Sequence, residues 1–441
     1  MKSTILCGAA LAAAVLACAA PGEAQNGIKA PPKGFTALFN GKDLVGWHGR
    51  GTDDPRPWTA LPAEERRKKM DGTLDDIRKH WSIDKGELVN DGGGLYLTTD
   101  KDYGDFEFLV EYKTVAQADS GIYLRGIPQV QIWDTTKEGG KWNIGADKGS
   151  GGLWNNPGGA PGKDPLVKAD KPFGQWNDFK IRMVGERVTV HFNGQLVVDD
   201  AILSNYFDKE RRVPVPARGP IQLQTHGGEI RWRNVFVREI PSEEANAILQ
   251  KRAEEGFAAV FNGKDLTGWT GAVSNYEVVD GAIRCMQGKG GNLFLKDEVD
   301  DFAFRFEFKL PPGGNNGLGV RAPAQGDVAY TSMELQILDD TAPQYAGLKP
   351  YQFHGSIYGV KPSHRGYQRP VGEWNVEEVI AKGTKLQVIL NGTRIIDEDL
   401  AQLKPVDGHE HPGLLRPSGF LGFAGHSDPV QFRNIRIRKL K

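Results

Sequence analysis

The stretch Phe39-Asn40-Gly41-Lys42-Asp43-Leu44-Val45-Gly46-Trp47 returns almost unchanged as Phe261-Asn262-Gly263-Lys264-Asp265-Leu266-Thr267-Gly268-Trp269, so the chain must adopt an architecture that can be built twice. Later landmarks recur in the same order. Ser120-Gly121-Ile122-Tyr123-Leu124-Arg125 is echoed by Asn316-Gly317-Leu318-Gly319-Val320-Arg321, and Gln129-Val130-Gln131-Ile132-Trp133-Asp134 by Glu334-Leu335-Gln336-Ile337-Leu338-Asp339. Gly174-Gln175-Trp176-Asn177 is matched by Gly372-Glu373-Trp374-Asn375, and the closing Arg233-Asn234 by Arg433-Asn434. A period of about two hundred residues is too long for a solenoid repeat and marks a tandem domain duplication.

Within each copy the apolar residues alternate. Phe106, Phe108, Val110 and Tyr112 in the first copy, and Phe302, Phe304, Phe306 and Phe308 in the second, fall at period two, the signature of strands with one buried face. Asn193-Gly194 and Asn391-Gly392 are hairpin turns. Short alternating segments, 56 glycines and little helical pattern predict an all-β protein of two tandem β-sandwiches or jelly rolls. The first module is expected over 34–241 with an insertion at 50–79 carrying a short exposed helix at Pro62 to Lys69, and the second over 256–441. Residues 242–255 between them read as a linker helix with Ser242 as N-cap and Ala245, Ile248 and Leu249 on one side.

Lys2 followed by the apolar run Ile5 to Ala20 predicts a signal segment over 1–24 and hence export, with 25–33 as a tether. Val15-Leu16-Ala17-Cys18 has the form of a lipoprotein box, although Leu16 is an unusual occupant; Gly22-Glu23-Ala24 is the soluble alternative. The destinations left open are a periplasmic or outer-membrane lipoprotein held by a lipidated Cys18, or a secreted protein. Cys285 alone remains in the mature body, so the modules must be stable without disulfides. With 55 basic against 56 acidic residues and no basic run on a regular element, nucleic acid is not an expected partner.

Strand alternation places Tyr123 with Arg125, and Gln129 with Gln131, on open faces of neighbouring strands; in the second module Gly319 and Arg321 face Glu334 and Gln336. An Arg beside a Glu or Gln pair, with Asp134 or Asp339 at the strand end, suits a ligand rich in hydroxyls. Trp133, Trp142 and Trp154, and in the second module Tyr351, His354, Tyr358 and Tyr367, read as rings for stacking on sugar faces. His226 and His426 stand at equivalent strand ends as proton carriers, metal ligands or backbone-bonded polar residues. His409 and His411 read as a solvated loop, a metal pair being the weaker alternative.

These motifs together resemble the bacterial 3-keto-disaccharide hydrolase family, from Gly34 to Lys441 apart from the insertion. The resemblance implies a concanavalin-like jelly roll, and 3-keto-glucoside 1,2-lyase or 3-keto-2-hydroxy-glucal hydratase activity on an oxidised di- or oligosaccharide or glycoside. It implies Glu334 or His426 as base, Arg321 as enolate stabiliser, and Gln336, Asp339 and Tyr358 as positioning groups. In the first module Arg125, Gln131, Asp134, Trp154 and His226 are the sugar contacts, and Gln129 stands where the acid would be, so an ionisable acid is expected only in the second hollow. A divalent metal assisting the enolate is left without assigned ligands. The competing expectation is a non-catalytic carbohydrate-binding double lectin-like module, with a glycosidase acting on ordinary sugars third.

Overall fold

The computed structural model describes residues 27–440; the signal segment with Cys7 and Cys18, and the start of the tether, lie outside the described residues. Each module consists of an eight-stranded and a five-stranded antiparallel sheet packed face to face. In the larger sheet of the first module Phe106–Thr114 pairs with both Asn177–Val184 and Ile230–Glu239. Phe302–Lys309, between Trp374–Lys382 and Gln431–Lys439, repeats the arrangement. The smaller sheets run, in order, Trp47–Arg50, Tyr96–Thr99, Gln222–Leu223, Ser120–Leu124, Ile127–Ile132, and Trp269–Gly271, Gly290–Leu295, Phe420–His426, Asn315–Ala322, Met333–Leu338.

The alternating phenylalanines drive this layering. Phe106, Phe108, Phe302, Phe304, Phe306 and Phe308 are all fully buried between the sheets, each contributing roughly 1.5–3 kcal/mol of transfer free energy. Cys285 lies in the second core. The recurring polar motifs brace the strands. Asn193 Nδ2 donates to Asn177 Oδ1 at 2.7 Å and Asn391 Nδ2 to Asn375 Oδ1 at 2.8 Å, with both hairpin asparagines left-handed at φ 50° and 49°. The guanidiniums of Arg233 and Arg433 lie 4.0 and 4.1 Å from the rings of Trp176 and Trp374. In the opening motif Asn40 and Asn262 each accept two backbone N–H groups in a tight turn.

The connecting helix spans Ser242–Lys251 and is shorter than its sequence pattern. Its N-cap position is Pro241, and the Ser242 hydroxyl instead donates across to Glu373 of the second module. Arg305 Nη1 takes the carbonyls of Gln250 and Arg252 at 3.0 and 2.8 Å, supplying the cation and donors that a helix C-terminus lacks. Ala245 and Leu249 pack with Val184, Ile240 and Val376, so the helix buries one face against both modules.

The insertion holds more than the one short exposed helix expected over Pro62 to Lys69. Its three short helices, Arg56–Thr59, Ala63–Asp71 and Leu74–His80, bury Trp58, Met70 and Ile77, and Ile77 joins the first core. Thr73 Oγ1 accepts the Gly49 N–H at 2.8 Å, fixing the insertion to the edge strand of the smaller sheet. Two cavities of about 640 and 880 Å³ lie between the modules, lined by residues from both.

Candidate functional site

In Met333–Leu338, Met333, Leu335 and Ile337 turn inward to the core, so Glu334 and Gln336 must project from the opposite, outer face of the smaller sheet. The neighbouring strand places Gly317 and Gly319 beside them, in register with Gln336 and Glu334. A Cβ on Gly317 would collide with the Glu334 carboxyl, so glycine there gives the acid its room. Glu334 is only 3% exposed and its Oε1 has no hydrogen-bond partner. His426, at the end of Phe420–His426, has a side chain 45% exposed, and its Nε2 lies 3.6 Å from that oxygen.

That separation is a little long for a formed hydrogen bond, but the two groups act on each other's protonation. Burial pushes the Glu334 carboxyl up despite the opposing pull of His426. The Glu334 carboxyl holds the His426 imidazole above its ordinary value, against the smaller effect of burial. The result is a solvent-facing imidazole backed by a buried acid, the arrangement of a proton-transfer pair.

Around the pair, Gln336 Nε2 donates to Asn315 Oδ1 at 2.8 Å. The Tyr358 N–H donates to the Glu334 carbonyl, which sets Tyr358 alongside the acid; its hydroxyl accepts from Gln352 Nε2 at 3.0 Å. Tyr330 and Tyr351 stand edge-on to the Tyr358 ring at 6.2 and 6.4 Å. Tyr330 was not singled out from sequence. Two of the expected rings lie elsewhere. His354 is buried with its Nε2 3.1 Å from the equally buried Glu377, and the Tyr367 hydroxyl donates to the Val215 carbonyl of the first module. His411 is held by Asp407 at 3.0 Å, while His409 is exposed beside Tyr330.

The arginines do not sit on this face. Arg321 donates from Nε to the Asp300 carbonyl, from Nη1 to Gly383 and Arg416 carbonyls, and from Nη2 to Asp301, all within 3.3 Å. Arg125 makes the matching set with Gly104, Pro216 and Asp105. Both residues are left-handed, at φ 50° and 53°, and the ladder shifts register there. A left-handed residue breaks strand alternation, which is why period-two reasoning mislaid them. Asp339 and Asp134 are also withdrawn from the site. Each accepts the N–H and hydroxyl of the Thr two residues on, Thr341 for Asp339 and Thr136 for Asp134, and on its other oxygen a backbone N–H from a sequence-distant loop, Gly313 and Gln117 respectively.

The first module corrects a further expectation. Gln129 occupies the Glu334 position, yet this face has its own acid. Asp119, its side chain 8% exposed, receives Gln131 Nε2 at 2.8 Å on one oxygen, and on the other meets Lys141 Nζ and His226 Nδ1, the latter at 3.2 Å. The structurally equivalent residue in the second module is Asn315, so the carboxylate has exchanged strands between the copies. Comparing Asp119-Ser120-Gly121 with Asn315-Asn316-Gly317 would have revealed the exchange. Trp154 packs edge-on to Trp133 at 5.6 Å and donates to the Ile144 carbonyl at 3.1 Å. Trp133 is buried and Trp142 exposed. Among the described residues no group of three or more His, Cys, Asp or Glu could hold a metal ion, and no step below passes through a metal.

A family model for the 3-keto-alpha-glucoside-1,2-lyase-like domain matches residues 34–238 and again 256–438. A curated 3-keto-disaccharide hydrolase from Bacteroides thetaiotaomicron is 24% identical over 249 residues, covering 46% of this chain and 86% of that protein. A crystal structure from Parabacteroides distasonis ATCC 8503 shares 28% identity over 42% of this chain and 99% of its own, with a TM-score of 0.38. A carbohydrate-binding module from Bacillus subtilis shares 14% identity over 39% of this chain and 96% of its own, with a TM-score of 0.27.

Proposed function

We propose, from the premise that this chain belongs to the 3-keto-alpha-glucoside-1,2-lyase-like family in both of its modules, that the second module cleaves a 3-keto-glycoside by elimination. The family and the curated relative make it a carbohydrate-active protein of the 3-keto-disaccharide hydrolase kind; the elimination and its residues are the reading offered here. The observation that supports it is the pairing of half-exposed His426 with buried, otherwise partnerless Glu334 on the open sheet face.

A ketone at carbon 3 acidifies the hydrogen on carbon 2, because the carbanion left behind is delocalised onto the ketone oxygen. Neutral His426 takes that proton on the ring nitrogen turned away from Glu334, and the Glu334 carboxylate steadies the imidazolium. The electron pair then forms the second bond between carbons 1 and 2 as the bond from carbon 1 to the glycosidic oxygen breaks, and the aglycone departs with that pair and takes up a proton. Water adds later at carbon 1 and a proton at carbon 2, so the net reaction is hydrolysis. No pair of carboxylates flanking a glycosidic oxygen is required. Gln336 and Tyr358 bind the sugar and its developing oxyanion, the role that Arg321 is too deeply engaged to fill.

Purified protein given a chromogenic 3-keto-glucoside is expected to release the aglycone, while the corresponding ordinary glucoside stays intact. Saturable binding of unoxidised glycans without release from the 3-keto substrate would replace this reading with the non-catalytic lectin-like one.

A further inference from the structure

The core of the second module holds a pair of ionisable side chains that the proton-transfer face does not use. Glu377 is fully buried, set between Phe306 and Leu390 of the neighbouring strands in the larger sheet. His354 is 2% exposed, with its ring 5.0 Å from that of Phe308 and its Nε2 3.1 Å from Glu377 Oε2. Neither carboxyl oxygen and neither ring nitrogen hydrogen-bonds any other described residue. Each group therefore depends on the other, and either one alone would be left buried and unpaired.

The first module fills the same two positions without ionisable groups. Asn177 pairs with Tyr112 as Asn375 pairs with Phe308, which puts Phe179 in the place of Glu377, stacked on Phe192 at 4.4 Å. The Gly151 N–H donates to the Gln131 carbonyl as the Gly355 N–H donates to Gln336, which puts Ser150 in the place of His354. A sandwich of this design thus closes without the pair.

What the pair adds is a strut between the layers. Glu377 belongs to Trp374–Lys382 of the larger sheet, whereas His354 opens a segment that runs along the outermost strand of the smaller sheet, Met333–Leu338. Along that strand the Gly355 N–H donates to the Gln336 carbonyl at 2.7 Å, the Gln336 N–H to the Ser356 carbonyl at 3.0 Å, and the Tyr358 N–H to the Glu334 carbonyl at 3.0 Å. The backbone of His354 is fixed as well, its N–H on Asp340 at 2.9 Å and its carbonyl accepting the Ser363 hydroxyl. Gln352, which holds the Tyr358 hydroxyl, lies just ahead of it.

We propose that His354 and Glu377 are positioning residues for the second module's site, setting where Gln352, Tyr358 and Gln336 stand relative to Glu334 and His426. This rests on the reading of that face as the eliminating one. Neither residue touches the sugar. Glu377 fixes how deeply the His354 ring enters the core, and the ring fixes the start of the segment that ends in Tyr358. Without that anchor the segment shifts along its strand, and the groups that bind the sugar and its oxyanion leave their places while the Glu334 and His426 pair remains. A displacement of about 1 Å is enough to lower a rate about 100-fold.

The test separates placement from stability, with kcat taken per folded molecule of the full chain. His354→Ser alone leaves a buried acid unpaired and is expected to lower the melting temperature by at least about 6 °C. The double variant His354→Ser/Glu377→Phe installs the residues of the first module and is expected to recover most of that loss. Its kcat on the chromogenic 3-keto-glucoside is nevertheless expected to stay at least about 10-fold below wild type. A second apolar pair, His354→Phe/Glu377→Leu, gives the same pattern should the first refold poorly. In a Tyr358→Phe background the double substitution is expected to lower kcat by less than about 3-fold further, because the two changes act on one group. Wild-type kcat in a stable double variant, or a loss in the Tyr358→Phe background as large as in the wild-type one, would make the pair purely structural and overturn the proposal. Calorimetric binding of the 3-keto-glucoside is read alongside release. A wild type that binds without releasing would remove the eliminating reading; the positioning role then stands if the double variant binds at least about 10-fold more weakly, and falls if its affinity is unchanged. A wild type that neither binds nor releases would sink both.

Discussion

Replacing Glu334 by Gln is expected to lower kcat on a 3-keto-glycoside by about 10²- to 10³-fold, within the range for loss of an acid–base partner, while leaving the protein as stable or more so. Both halves follow from the same geometry. The carboxyl is nearly fully buried and one of its oxygens is partnerless, so a neutral amide of the same shape removes a desolvated group. It also removes the charge that holds His426 above the ordinary imidazole value of 6.5.

The pH dependence has a definite sign. His426 must be neutral to accept a proton, so the acid limb of kcat/KM lies above 6.5 in the wild type and moves to lower pH in Glu334→Gln. Stability shifts accordingly. Glu334 and His426 both have folded values raised, so their contribution is fully present below their unfolded values and is lost as pH rises through the folded ones. That loss should flatten in the variant. A pH–rate profile and thermal melts across the same range check both. A variant with an unmoved acid limb would remove Glu334 from the proton-transfer pair.

Arg321→Ala should do the opposite, costing stability without touching the chemistry. Its guanidinium satisfies three backbone carbonyls and Asp301 in a buried setting. Removing it is expected to cost about 1–3 kcal/mol, because the backbone carbonyls it served are left without a donor, while the part-exposed Asp301 keeps the Gly383 N–H. The left-handed backbone at φ 50°, which Ala tolerates no better than Arg, gives no relief. Denaturant melts should therefore show a large loss, with kcat/KM per folded molecule near wild type. A stable Arg321→Ala that binds substrate but does not turn it over would restore Arg321 to the site.

The contrast between Glu334 and Arg321 shows what the amino-acid sequence could convey. Alternation placed Glu334 and Gln336 on the outer face because Leu335 and Ile337 demand the core, and the duplication paired His226 with His426. Alternation failed two residues past Gly319, where a left-handed turn rotates the chain and sends Arg321 toward carbonyls that only the folded loops bring near. Asp134 and Asp339 were misread for a local reason: an Asp followed two positions later by Thr folds into its own turn. Asp119 escaped notice because it precedes the conspicuous Ser-Gly pair, and its partners Lys141 and His226 arrive from distant segments. The insertion looked polar along Ala63–Asp71, whereas Trp58 and Ile77, the residues that anchor it, flank that helix.

The most direct measurement uses a 3-keto-1-deoxyglucose, which keeps the acidic hydrogen on carbon 2 but has no aglycone to lose, incubated in D₂O and followed by proton NMR. Wild-type protein should wash out the carbon 2 signal, and Glu334→Gln should slow that exchange at least about 100-fold at the wild-type optimum. Exchange that proceeds equally in the variant, or saturable binding of the ketone by wild type with no exchange, would contradict proton transfer by the Glu334 and His426 pair.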